Sequence, residues 1–163
     1  MSINQIIKTL ENLVAIHEDL VSLSREKTKV VKEGSVEKLQ SLLVKERKQI
    51  RTFEKVEKTR QEAVEAWFFE NELPLTDTTI THMLEIISDE DEKQELTAVT
   101  TKLTELITTL KQQEQLNESL LNQSMKFVQL SLDMMNPSIK NMNYGNSKQE
   151  SVTMKRSVFD SKA

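Results

Sequence analysis

In 163 residues this chain has only two glycines and two prolines, and their positions leave little freedom in where it can turn. Gly34, Pro74, Pro137 and Gly145 fall between periodic stretches and never inside one. All-β and α/β folds need many tight turns, which draw heavily on these two residue types. So sparse a supply points to long, uninterrupted helices. Breakers and periodic pattern agree, as they should in a sequence that specifies one fold.

The first segment, residues 2–32, carries Ile3, Ile6, Leu10, Leu13, His17 and Leu20 at three-then-four spacing, widened by Ile7, Val14 and Val21. That spacing returns side chains to one face of an α-helix. The stripe weakens at Ser24 and Lys27 and resumes at Val31, after which Gly34 supplies a left-handed stop. Ser35 offers its hydroxyl to an unpaired backbone N–H and opens a second helix to about residue 69. Its stripe uses Val36, Leu39, Leu42, Leu43, Ile50, Phe53, Val56, Val64, Trp67 and Phe68. Glu46 and Arg60 fall inside it, either paired across helices or placed at its edge. Glu54 and Lys58 have the four-residue spacing of a supportive ion pair.

Around Pro74 the chain turns, and Thr76 or Asp77 is expected to cap a short third helix with Ile80, Met83, Leu84, Ile86 and Ile87. The acidic run from Asp89 to Glu92 suits a helix start, where the dipole favours negative charge. A fourth helix then runs from about residue 91 to residue 135. Leu96, Val99, Leu103, Leu106, Ile107, Leu110, Leu116, Leu120, Leu121, Val128 and Leu132 are expected on its buried side. Six threonines between Thr97 and Thr109 are poor helix formers, so that half must lean on packing.

No such helix can bury its stripe alone. Short connections at Gly34 and Pro74 make consecutive helices antiparallel neighbours. The expected fold is therefore all-α: an elongated antiparallel helical bundle of three long helices and one short helix over residues 1–135. A flexible C-terminal tail follows over residues 136–163, rich in Asn, Ser and Lys, without sustained period, and expected to be disordered when unbound. The same stripes would serve an intermolecular seam, so homo-oligomerisation stays open.

Charge narrows the class of partner. The net charge of −4 divides into +1 over residues 1–70, −8 over 71–135 and +3 over 136–163. A nucleic-acid binder needs a basic face to displace condensed counterions, and this distribution argues against one. The N-terminus lacks the basic segment, unbroken apolar run and cleavage site of a signal peptide, and no stretch has the length of a membrane span. With no cysteine present there is no disulfide framework or thiolate metal site. The expected setting is cytoplasmic, without membrane insertion.

Catalytic and cofactor chemistry finds no foothold. Two distant glycines cannot form a phosphate cradle. His17 and His82 lie on different helices and belong to no metal-ligand pair; His17 reads as a stripe residue hydrogen-bonded across the seam. The run from Asp89 to Glu92 lacks the mid-loop glycine of a calcium loop, with Gln94 in its place. No serine or threonine sits in a recognisable nucleophile context. No cofactor, metal or enzymatic activity is expected.

Two features remain as binding surfaces. Over residues 116–135 the last helix adds Met125, Phe127, Leu130, Met134 and Met135 to its stripe, so its apolar surface nearly encircles it. Such a helix is either plain bundle core or has a further partner, and methionine adapts to several. The tail carries isolated Met142, Tyr144, Val152, Met154, Val158 and Phe159, which suits either a docking motif or an inert extension.

The order of local motifs resembles one family. The turn Lys32-Glu33-Gly34-Ser35-Val36-Glu37-Lys38-Leu39, then Leu42-Leu43-Val44-Lys45-Glu46, the stretch Asn117-Glu118-Ser119-Leu120-Leu121, and the terminus Ser157-Val158-Phe159-Asp160-Ser161-Lys162-Ala163 resemble FlgN-like proteins of Bacillus-type bacteria. The resemblance implies a cytoplasmic flagellar export chaperone. It would bind the hook–filament junction proteins FlgK and FlgL, prevent their early assembly and deliver them to the flagellar export gate. Under that reading Leu120, Met125, Val128, Leu132 and Met135 are candidates for cargo contact, and Tyr144 for docking at the gate. The alternatives are a chaperone for another type III cargo such as the filament cap protein, or a structural coiled-coil protein that only oligomerises.

Overall fold

The computed structural model describes residues 2–135. Four helices follow one another: α1 (Ile3–Glu33), α2 (Val36–Glu70), α3 (Ile80–Ile86) and α4 (Glu90–Met135). The chain divides into two units, Met1–Leu120 and Leu121–Ala163; of the second, residues 121–135, the last turns of α4, are described. The tail expected over residues 136–163 lies outside the described residues.

Local chemistry sets the helix ends. Gly34 has φ 72°, and its N–H reaches Val30 O and Val31 O while Ser35 N–H reaches Val30 O, closing α1 in a Schellman arrangement. Ser35 at once caps α2, its hydroxyl accepting from Lys38 N at 3.3 Å. The same motif ends α2 without a glycine. Glu72 sits at φ 56°, with its N–H on Phe69 O and Leu73 N–H on Phe68 O.

The third helix starts later than the sequence suggests. Thr79, not Thr76 or Asp77, is its cap, accepting from His82 N at 3.2 Å. Starting there places Met83 and Ile87 in the core. The fourth begins at Glu90, one residue early, because Asp89 Oδ1 accepts from Asp91 N and Glu92 N at 2.9 and 3.1 Å. The acidic run is thus a helix start.

In the unit Met1–Leu120, α1 and α2 run antiparallel, as the pairs Lys27–Glu46, Asp19–Gln49 and His17–Phe53 require. The pairs Glu18–Lys102 and Lys27–Glu114 set α4 parallel to α1. At about 1.5 Å per residue α1 and α2 extend roughly 46 and 52 Å.

The seams change character along their length. At one end Ile3, Ile6, Ile7, Leu10, Leu13 and Val14 of α1 pack with Ala63, Val64, Trp67 and Phe68 of α2, Met83 and Ile87, and Leu96 and Leu103 of α4. Phe68 and Ile6 are wholly buried, and Trp67 meets Phe68 edge-on. Burying each large side chain contributes about 1.5–3 kcal/mol, so this end dominates the stability of the unit.

Several stripe positions are exposed instead of buried: Val36, Ile50, Ile107, Leu116, Val128 and Leu132. The cause at Leu116 is its neighbour. Asn117, with 1% of its surface exposed, takes the inward position on that turn. The expected Glu54–Lys58 pair gives way to Lys58–Glu62 at 3.8 Å.

Candidate functional site

Beyond the apolar end, α1 continues its stripe with Ser24, Lys27 and Thr28, all buried. By residue type they weaken the apolar pattern. Their spacing from Leu20, four, seven and eight residues, nevertheless keeps them on the inward face. Opposite them stand Gln113, Glu114 and Asn117 of α4. Asn117 Nδ2 donates to Ser24 O at 2.9 Å and to Ser24 Oγ at 3.0 Å. Ser24 Oγ donates onward to Glu114 Oε1 at 2.7 Å, Thr28 Oγ1 donates to Asn117 Oδ1, and Gln113 Nε2 donates to Thr28 Oγ1.

Lys27 crosses all three long helices. Its Nζ donates to Glu114 Oε1 and Oε2 at 3.2 and 3.1 Å, and lies 2.8 Å from Glu46 Oε2, an ion contact whose angle is poor for a hydrogen bond. Glu46 is thus paired across helices. Arg60 pairs within α2: its Nε and Nη2 donate to Glu57 at 2.8 and 2.6 Å. Those hydrogen bonds hold the Glu57 carboxyl below the usual carboxylate range, against the opposing effect of burial. This polar layer sets register, since a one-turn slip of α4 would leave buried donors and acceptors unpaired.

Both histidines make packing contacts. His17 Nδ1 bonds Leu13 O of its own helix at 2.8 Å, not a group across the seam, and its ring meets Phe53 edge-on. His82 stacks on Phe68. Among the described residues no group of three or more metal-ligating side chains converges. No helix among them is long and apolar enough to cross a membrane.

The proposed cargo residues divide. Met125, Val128, Leu132 and Met135 are exposed, between 55% and 82% of their full surface. Their spacing of three, four and three puts them on one stripe of α4, within about 80° of circumference. Leu120 belongs to the first unit, is half-buried, and stands off that stripe; Leu121 holds the matching position. Phe127, Leu130 and Met134, outside the candidate cargo set, form a second exposed stripe on the other side of the helix. Tyr144 lies outside the described residues.

An exposed helix with two apolar stripes can bury them only against something else. The family model described as FlgN protein matches residues 1–151. Over 165 aligned residues the chain is 32% identical to a protein of Bacillus subtilis (strain 168) described as uncharacterized protein YvyG, covering all of both chains. No solved structure matches the chain.

Proposed function

Because the chain belongs to the FlgN family of flagellar export chaperones, we propose that it binds the hook–filament junction proteins FlgK and FlgL and delivers them to the export gate. One observation carries the reading. Met125, Val128, Leu132 and Met135 are exposed at the spacing by which one helix packs against another. A cargo helix laid on that stripe buries apolar surface on both partners. Covered in this way, an assembly-prone helix cannot join its own kind early. The methionines let one surface accept two related cargoes, because their unbranched side chains reshape at little cost.

Light scattering after size-exclusion chromatography tests this with the full chain and purified FlgK or FlgL. The expected result is a stable complex with either cargo, lost in a Met125→Ser, Val128→Ser, Leu132→Ser variant that keeps its helical circular dichroism. A folded variant with unchanged cargo affinity removes the stripe from the site. No complex with either protein moves the assignment to another export cargo. Gate docking through Tyr144 belongs to the same reading, and Tyr144→Ala with undiminished gate affinity removes it.

A further inference from the structure

Over residues 1–70 the charge is nearly balanced, yet folding sorts it by side. In the middle of α2, Lys45, Arg47, Lys48, Arg51, Lys55 and Lys58 are all exposed. At 3.6 residues per turn they fall within about 160° of circumference, opposite the buried side of the helix. The acidic residues interspersed with them are spent elsewhere. Glu46 turns inward onto Lys27, and Glu57 is held by Arg60. Glu54 alone stands exposed between Lys45 and Lys58, about 20° beyond the edge of the basic arc. Among the described residues only Lys58 of the six has an ion-pair partner, Glu62 at 3.8 Å. Asp19 of α1, which lines the α1–α2 groove with Lys45 and Lys48, accepts from Gln49.

We propose that this basic face of α2 docks an acidic helical segment of a partner protein. Lys45, Lys48, Arg51, Lys55 and Lys58 step along the helix by three, three, four and three residues. Carboxylates on a second helix recur at those same intervals, so two helices side by side bring the charges into register over about 20 Å. A membrane surface fits less well. The face carries Val44 as its one large exposed apolar residue, too little to insert. Nucleic acid fits less well too. No aromatic side chain accompanies the cations to stack on bases, and an extended polyanion would also meet the rest of a molecule of net charge −4. A short acidic helix meets only the local field, which is screened within about 8 Å at physiological salt. The proposal needs no residue of the α4 stripe.

The probe is a fluorescent alanine-based helical peptide with glutamates at three-and-four spacing, titrated with the full chain and read by anisotropy. The glutamine-for-glutamate peptide serves as control. Binding is expected for the glutamate peptide alone. It should weaken as salt rises from about 50 to about 300 mM. In Lys48→Glu, Arg51→Glu, Lys55→Glu, and also in the milder triple change to Gln, it should fall by about tenfold or more. No binding at low salt overturns the proposal, as does equal binding by either variant. Tighter binding to a DNA duplex, or to vesicles of about one-third phosphatidylserine, lost in the same variants, assigns the face to that partner and overturns the proposal as well.

Discussion

Asn117 of α4 and Ser24 of α1, 93 positions apart in the chain, are joined by two hydrogen bonds from one carboxamide nitrogen, at 2.9 and 3.0 Å. The Asn117 side chain fills an inward position where a leucine would be the ordinary choice, and Leu116 beside it is left exposed. Asn117→Ala removes the donor to Ser24 and the acceptor for Thr28, and opens a small void. The expected loss is about 1–3 kcal/mol of unfolding free energy, measured by urea denaturation.

Lys27 is the cation between two carboxylates. Lys27→Met leaves Glu46 and Glu114 facing each other without it. A fully buried pair broken in this way costs about 3–5 kcal/mol, but the Glu114 side chain keeps 39% of its exposure and can turn to water. The expected cost is therefore lower, about 1–3 kcal/mol. Adding Glu46→Gln should recover part of it; if it recovers nothing, the Lys27–Glu46 contact is not what Lys27→Met disrupts.

Glu72 occupies a left-handed position that suits glycine. For an L-residue this conformation costs about 1–2 kcal/mol, partly offset by the greater entropy glycine loses on folding. Glu72→Gly should raise stability by about 0.5–1 kcal/mol and the melting midpoint with it. A lower midpoint would mean that the side chain makes a contact worth more than the strain.

The Glu57–Arg60 pair carries a pH signature. Its hydrogen bonds keep Glu57 ionised in the folded protein at lower pH than in the unfolded chain. Its stabilisation is complete above the ordinary carboxylate range and is lost as pH falls through the depressed pKa. Glu57→Gln should therefore be less stable than the parent by about 0.3–0.5 kcal/mol near neutrality. That gap should close in acid, as paired denaturation curves at about pH 7 and about pH 3 would show.

Much of the fold was legible because its signals are local. Gly34 and Ser35 announce a stop and a start within two residues, and both act as expected. The core of Ile6, Leu10, Leu13, Val64, Phe68 and Leu96 follows from apolar spacing alone. The second helix stops at Glu70, within a residue of its expected end, although no glycine marks the place and Glu72 takes the left-handed position. Half of the candidate site was legible in the same way, since Met125, Val128, Leu132 and Met135 declare their stripe by spacing. Leu120 shares their apolar character, although its angle on the helix sets it apart. Phe127, Leu130 and Met134 read in the sequence as excess apolar surface, and their exposure makes them a stripe of their own.

By itself the sequence determined how many helices form, where they break and which residues make the apolar end, because periodicity and turn chemistry act over a few neighbouring residues. Only the tertiary structure decided the fate of the polar residues. Ser24, Lys27 and Asn117 are polar residue types whose spacing can place them on an inward face, yet they stay buried only because a partner helix brings matching groups to them. The charge of α2 was likewise balanced on paper. It became a basic face when Glu46 found Lys27 on another helix and Glu57 closed on Arg60. Pairing of this kind depends on groups far apart in the chain, and no local pattern records which partner each will find.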